Sequence, residues 1–157
     1  MQELTDIIMY HIQKQGFVIV STLDSEGGIN VSCKGIVGID REGRIYLIDL
    51  YRGRTFKNLK SNPTVSVTSI DAHEFTGYTL KGKAEIIERD KIEGHIIKKW
   101  EEKVIQRISD RVIKNVQSDT KSFHHPEAKF PQPQYMIVID VEEITDLTPT
   151  HLKKDKV

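Results

Sequence analysis

The residues best suited to chemistry stand in one stretch, Asp49 to Lys60, where several cations surround a glycine. An apolar segment ends at Asp49, Gly53 allows a turn, and a short helix is predicted from Thr55 to the residues before Pro63. A helix start presents free backbone N–H groups and the positive end of the helix dipole. Cationic side chains at such a start bind phosphate oxygens, and a threonine hydroxyl donates one more hydrogen bond. The stretch therefore predicts a phosphate site that includes Arg52, Arg54, Thr55 and Lys57.

The same stretch has two other interpretations. A run of basic residues is often the solvated face of a helix, with Phe56 and Leu59 on the buried side. A small barrel that binds single-stranded nucleic acid also combines stacking rings with cations, and such a site would use Tyr51, Arg52, Arg54, Phe56 and Lys57. Spacing alone does not decide between these interpretations.

A second candidate is the segment Ser32 to Gly35, which we expect at the end of the second strand. Glycines at 35 and 38 let the backbone approach a flat ligand closely, and Lys34 places a positive charge beside an electron-rich ring. A glycine kink that curves a barrel strand explains the same residues without a ligand.

Other chemistry is not favoured by the sequence. Cys33 alternates with Ile29 and Val31, so we interpret it as a small buried hydrophobic residue rather than a nucleophile. Two groups of possible metal ligands lack the spacing of a zinc site: His73 with Glu74, and His124 and His125 with Glu127. No metal site is predicted.

The periodicity of apolar residues predicts a mainly β (β+α) fold that positions these candidates. Alternation predicts strands in two hairpins, 17–33 and 34–50, in the pair 64–70 and 78–86, and at 135–141. Helices are predicted at 3–15, 55–61 and, capped by Asp90, at 90–117. Six short strands are enough to close an antiparallel barrel, which has no exposed strand edges. We expect a single domain over residues 1–157, with a barrel core at about 16–88 and 135–147 and a helical insertion at about 90–117.

Composition excludes several classes of protein. The 157 residues include 23 Lys+Arg and 23 Asp+Glu, and a net charge of zero disfavours broad electrostatic binding to nucleic acid or to an anionic membrane. A single cysteine excludes an internal disulfide framework and a multi-thiolate zinc site. No apolar run approaches the roughly 18 residues of a membrane helix, and the first residues are too polar for a signal peptide. Cytoplasm is the expected location.

Several segments, taken in order, resemble the FMN-binding split-barrel family related to pyridoxamine 5'-phosphate oxidase. They are the hairpin Phe17–Cys33, the segment Ser32–Gly35, the strand that ends at Asp49, the segment Gly53–Pro63 and the strand Gly77–Glu85. The resemblance covers residues 5–88 best and 135–141 more loosely. Its most specific part is the pattern Arg/Lys-Thr-x-x-Asn-Leu-x-x-Asn-Pro, which begins here at Arg54.

The resemblance implies a homodimer of six-stranded barrels with FMN in a groove at the subunit interface. It implies three groups of cofactor-binding residues: Arg54, Thr55, Arg52, Lys57 and Asn58 at the phosphate, Ser32, Lys34 and Gly35 along the isoalloxazine ring, and Asp49 and Leu50 beside the ribityl chain. The implied function is an FMN-dependent oxidoreductase or reductase with a small-molecule electron donor and acceptor. A deazaflavin-dependent reductase and a flavin-binding carrier or sensor without turnover remain alternatives.

The chain also departs from the pyridoxamine 5'-phosphate oxidases themselves. Those enzymes resemble one another in a Gln-x-Arg-x-x-Gly strand, where this chain has Gly77, Thr79 and Gly82. Residues 142–157 also lack the basic segment that binds the substrate phosphate in those enzymes. The resemblance therefore does not extend to the oxidation of vitamin B6.

Overall fold

In residues 1–117 and 130–153, which are the residues that this computed structural model describes, six antiparallel strands close into a barrel. The strands are β1 (Phe17–Leu23), β2 (Ile29–Ile39), β3 (Arg44–Asp49), β4 (Thr64–Asp71), β5 (Thr76–Glu88) and β6 (Tyr135–Asp146). Their order around the barrel is β1-β2-β3-β6-β5-β4. The predicted fold class, a mainly β six-stranded antiparallel barrel with added helices, is confirmed.

Helices cover both ends of the barrel and part of its outer surface. They are α1 (Asp6–Gln15), α2 (Arg54–Ser61), α3 (Gly94–Gln117) and α4 (Thr150–Lys153), with a 3-10 turn at Arg89–Lys91. Helix α1 contributes Ile8 and Ile12 to the core at one end, and α2 contributes Leu59 at the other. The barrel interior between them is filled by alternate strand residues, among them Val18, Val20, Leu47, Val67, Leu80, Ile137 and Ile139.

Strand β2 differs from the prediction in its length and in the direction of its side chains. It is one strand of 11 residues that pairs with β1 through its first half and with β3 through its second. Because the strand continues to Ile39, Ser32 to Gly35 lies within it and not at its end, and a bulge shifts the register with β3 between Ile36 and Gly38. Cys33 is exposed, so its interpretation as a buried residue is wrong. The alternation correctly grouped Cys33 with Ile29 and Val31 on one face of the strand. It did not show which face is buried, because this apolar face is the exposed one.

The helix boundaries also differ from those predicted. Helix α1 begins at Asp6, since the Thr5 side chain accepts a hydrogen bond from the Ile8 amide and caps it there. Helix α2 begins one residue before Thr55. Helix α3 begins at Gly94 because the chain is extended at Ile92, after the 3-10 turn that contains Asp90. The segment with His124, His125 and Glu127 lies outside the described residues.

Helix α3 packs outside the barrel, against the outward side chains of β2, β3 and β6. Val37, Ile48 and Met136 form a second apolar cluster with Ile96 and Trp100 of the helix.

No helix in the described part of the chain is both long and apolar enough to span a membrane.

Gly82 lies at a bulge where β5 approaches β6 closely. The register between the strands shifts at Lys81 and Gly82, and a Cβ atom at position 82 would overlap the backbone oxygen of Asp140. Because the obstacle is backbone in the middle of a sheet, it cannot move without breaking strand pairing.

We therefore expect Gly82→Ala to lower the free energy of unfolding by about 1–3 kcal/mol, the usual cost of overpacking. Urea denaturation at pH 7 measures the change. The matched control is Gly94→Ala, where a Cβ atom meets nothing within 4 Å. Equal midpoints for the two variants would contradict the close approach of β5 and β6.

Candidate functional site

Helix α2 is held on the barrel end by polar contacts as well as apolar ones. The hydroxyls of Thr55 and Ser32 share a hydrogen bond of 2.9 Å, and the Asn58 amide donates to the Thr22 hydroxyl at 3.0 Å. Thr55 and Asn58 are buried. The side chains of these residues therefore orient the helix rather than face solvent.

The first turn of α2 is open to a ligand. Its N-cap residue is Gly53, which has no side chain to cap the helix, and the first turn holds no acidic residue. A Cβ atom at Gly53 would meet no atom of the described residues within 4 Å, its chain neighbours aside, so the rest of the described barrel does not fill this side of the helix start. The first N–H groups of a helix have no intrahelical acceptor, and they combine with the dipole to attract anions.

The cations around α2 divide into two groups. Arg54 and Lys57 are exposed, and neither side chain has an ion pair within residues 1–117 and 130–153. Arg52 instead makes a forked pair with Glu88, at 2.6 and 3.2 Å, and lies over the Phe56 ring at 4.8 Å. The hydrogen bond from Arg52 lowers the pKa of the Glu88 carboxyl, which keeps this pair charged. The Arg52 side chain is therefore held by Glu88 and the Phe56 ring, whereas Arg54 and Lys57 have no such partner among the described residues.

A groove of about 170 Å³ contains four of the predicted residues. Lys34 and Gly35 come from β2, and Asp49 and Leu50 from the end of β3. Its aromatic lining is provided by Phe17, Tyr51, Trp100 and Phe130. Since Tyr51 lines the groove and Gly53 caps α2, the chain leads directly from the groove to the open helix start.

The floor of this groove is a buried polar network. The Lys34 ammonium donates to Asp49 Oδ2 at 2.6 Å, and the Tyr135 hydroxyl donates to the same oxygen at 2.5 Å. Asp49 Oδ1 accepts from the Leu50 amide at 2.9 Å. Burial is the main cause that raises the pKa of Tyr135, and the hydrogen bond to Asp49 adds to it. Tyr135 is absent from the residues predicted by sequence, because nothing local connects the first residue of β6 to Asp49.

Helix α3 places a row of basic residues beside β1 and β2, and one of them, Arg107, lines the groove; the sequence did not predict this row. Lys99, Lys103 and Arg107 are spaced by four residues, so they share one face of the helix. Lys103 donates to the Ile36 carbonyl at 3.3 Å, and Arg107 lies over the Phe17 ring at 4.9 Å. Burial lowers the pKa of Lys103, with further contributions from the charges of Lys99 and Arg107. The four-residue spacing of these basic residues could have predicted a basic face, but the apolar residues at the same spacing in this helix favoured an interpretation as packing alone.

A larger groove, of about 460 Å³, lies elsewhere on the barrel, on the outer face of β3, β5 and β6. Its charged rim is partly satisfied within the protein, since Arg44 pairs with Asp140 at 2.9 Å. It borders the start of α3 at Glu93 and Ile96, where an acidic side chain is present, and it holds none of the predicted residues. Volume alone therefore does not make it the better candidate. Within the described residues, no cluster of three or more His, Cys, Asp or Glu side chains is placed to hold a metal ion.

The fold defines a split-barrel protein with a groove beside an open helix start. The sequence profile of the pyridoxamine 5'-phosphate oxidase family matches residues 4–147. The chain therefore belongs to the pyridoxamine 5'-phosphate oxidase family, as its sequence resemblance implied. A search of curated protein sequences gives no match.

Solved structures share the fold at low sequence identity. HupZ of Group A Streptococcus is 20% identical, with a TM-score of 0.62 over 92% of this chain and 94% of that one. An F420 reductase is 14% identical, with a TM-score of 0.57 over 90% and 98%. HutZ, the heme storage protein of Vibrio cholerae, is 18% identical, with a TM-score of 0.54 over 92% and 94%. At these identities the structures support the barrel fold and do not select a ligand.

The raised pKa of Tyr135 makes stability fall at alkaline pH. The unfolded chain loses this proton near the ordinary tyrosine pKa of about 10, whereas the folded chain keeps it. The folded state thus binds more protons above that pH, and stability is lost at up to about 1.4 kcal/mol per pH unit until the folded pKa is reached.

Tyr135→Phe should lower stability at pH 7 but remove this part of the alkaline slope. Urea unfolding between pH 8 and pH 11 measures the difference. Tyr10→Phe is the control, because Tyr10 is 68% exposed and should leave the slope unchanged. A slope in Tyr135→Phe equal to that of the wild type would show that the hydroxyl titrates normally.

Proposed function

We propose that this protein binds FMN and acts as an oxidoreductase on small-molecule electron donors and acceptors. The observation that carries the proposal is the open start of α2, with Arg54 and Lys57 unpaired among the described residues, at the end of an aromatic-lined groove. An anionic end and a flat ring at a fixed separation are the two features of FMN that such an arrangement selects.

The residues of the chain fit the parts of FMN. The phosphate would be held by backbone N–H groups at Arg54 and Thr55 and by the Arg54 and Lys57 side chains. Gly35 leaves room for a ring, because a Cβ there meets only Phe17 at 3.8 Å, and Lys34 lies beside it. Asp49 and Leu50 would lie along the ribityl chain. Ser32 and Asn58 act indirectly by docking α2, and Arg52 does so through Phe56 and Glu88.

When bound, FMN supplies hydride or electron transfer, which no amino-acid side chain provides. The protein orients the ring, excludes water with the aromatic lining and sets the surrounding charge. Arg107 lines one side of the groove, and a positive charge there favours an anionic donor such as a reduced nicotinamide dinucleotide. Nucleic-acid binding is less well supported, because the Phe56 ring is not free to stack on a base. Its centroid lies 4.9 Å from that of Tyr135, edge to face, and Arg52 covers it.

The functional unit in this proposal is a homodimer. Ile19, Ile29 and Val31 are 41%, 75% and 60% exposed on the outer face of β1 and β2. Contiguous exposed apolar side chains mark interaction surfaces, and dimers are common in the family. Phe17 and Cys33 belong both to this face and to the groove, so a second copy seated here would close the groove.

The direct test is FMN titration of the purified protein, followed by FMN fluorescence and visible absorption. We expect binding with quenched fluorescence, and Arg54→Ala should weaken it by about 1.5–3 kcal/mol, roughly 10- to 100-fold in Kd. Lys60→Ala is the matched control, because Lys60 is on the same helix but pairs with Glu88 at 3.6 Å.

Colourless protein that leaves FMN fluorescence unchanged would overturn the proposal. Parallel titrations with coenzyme F420 and with heme separate FMN from the ligands named for the F420 reductase and for HutZ. Reduction of bound FMN by NADH or NADPH under anaerobic conditions separates an oxidoreductase from a flavin carrier.

The homodimer has its own test. Val31→Glu should convert the dimer to a monomer in sedimentation experiments and weaken FMN binding, because a buried charge opposes the apolar contact. Ile7→Glu is the control, since Ile7 is 69% exposed on α1, away from this face. A wild-type monomer, or a dimer that survives Val31→Glu, would contradict the proposed interface.

A further inference from the structure

The floor of the groove carries two opposite charges whose effects on a bound ring would oppose each other. Lys34 and Asp49 both line the groove, and their side chains are only 14% and 5% exposed. We propose that Asp49 and Tyr135 are positioning residues that determine how much of the Lys34 positive charge acts on the ring, and thereby set the reduction potential of the bound flavin. This inference rests on the proposed function.

The geometry leaves Asp49 little freedom. Its Oδ2 accepts from Lys34 on β2 and from Tyr135 on β6, and its Oδ1 accepts from the amide of Leu50. Backbone pairing supports the same arrangement, because Asp49 and Tyr135 face each other in the register of β3 and β6. Tyr135 is fully buried against Phe56, so its hydroxyl has one fixed direction. The ammonium of Lys34 is thus held in place through a carboxylate that is itself held from three sides.

Electrostatics gives each group a sign. Reduction adds negative charge to a flavin ring, so a neighbouring positive charge raises its reduction potential and a negative charge lowers it. Charges that are shielded from water interact more strongly than charges at an exposed surface. Lys34 therefore raises the reduction potential and Asp49 lowers it. The hydrogen bond that Tyr135 donates to Asp49 partly neutralises the carboxylate and so weakens its effect on the potential.

A purely structural role for these residues predicts a different result. Loosening the groove would weaken oxidised and reduced FMN alike, and the potential depends only on the ratio of those two affinities. A tenfold change in that ratio corresponds to about 30 mV for a two-electron couple. The potential therefore separates positioning of charge from packing, and it does not depend on turnover.

The experiment measures the midpoint potential of FMN bound to the full-length protein, by equilibration with a reference dye at pH 7. We expect Lys34→Met to lower the ratio of reduced to oxidised affinity at least tenfold, and Asp49→Asn to raise it at least tenfold. Tyr135→Phe should change it in the same direction as Lys34→Met but less. Lys34→Arg keeps the charge and should stay close to the wild type.

Matched controls remove the same groups elsewhere. Lys81→Met breaks an exposed pair with Glu143 at 3.0 Å, and Tyr46→Phe removes a hydroxyl that donates to Asp40 at 3.2 Å. Neither residue lines the groove, so neither variant should shift the potential.

The outcomes are distinct. Opposite shifts in Lys34→Met and Asp49→Asn support the inference, and they carry the test even if Tyr135→Phe does not fold. Shifts of the same sign, or none, with FMN still bound would overturn the inference while the proposed function stands. A wild-type protein that binds no FMN would overturn both.

Discussion

The docking of α2 onto the end of the barrel is the interaction on which the candidate site depends. Burial of a leucine or phenylalanine side chain contributes about 1.5–3 kcal/mol, whereas a typical hydrogen bond contributes about 1 kcal/mol net. Leu59 and Phe56 therefore supply most of the attraction, and the hydrogen bonds of Thr55 and Asn58 select the orientation. That orientation is what turns the uncapped first turn outward beside the groove.

The groove depends in turn on how β2 and β3 meet. Because Gly35 pairs with Ile48 in the register of β2 and β3, the next residues along, Lys34 and Asp49, lie side by side, and their side chains meet at 2.6 Å. A buried ion pair is costly to desolvate and contributes little net stability unless its remaining hydrogen-bonding capacity is satisfied. Tyr135 and the Leu50 amide satisfy it here. The pair lies beside an open groove, where its charges also act on the proposed ligand.

Sequence predicted the strands and the short helix well, because their periods and turn residues are local signals. It could not predict which face of β2 is inside, because the outer residues Ile29 and Val31 are as apolar as core residues. It also could not predict that Arg52 makes an ion pair while Arg54 does not, because that difference arises from a tertiary contact. Glu88, 36 positions along the chain, pairs with Arg52, and such long-range partners leave no mark on local spacing. The contact between Tyr135 and Asp49, 86 positions apart, was hidden for the same reason.

The division of cations around α2 is compatible with the proposed anion site in a protein that has no net charge. Glu88 neutralises Arg52 and approaches Lys60, so the far side of the helix contributes little positive potential. Charges in solution are screened beyond about 8–10 Å, so acidic residues on distant parts of the barrel do not cancel the charges at the helix start. Arg54, Lys57 and the helix dipole act together within that range. We therefore expect anion binding at the proposed site to depend on neighbours within one or two turns of helix and not on the overall composition.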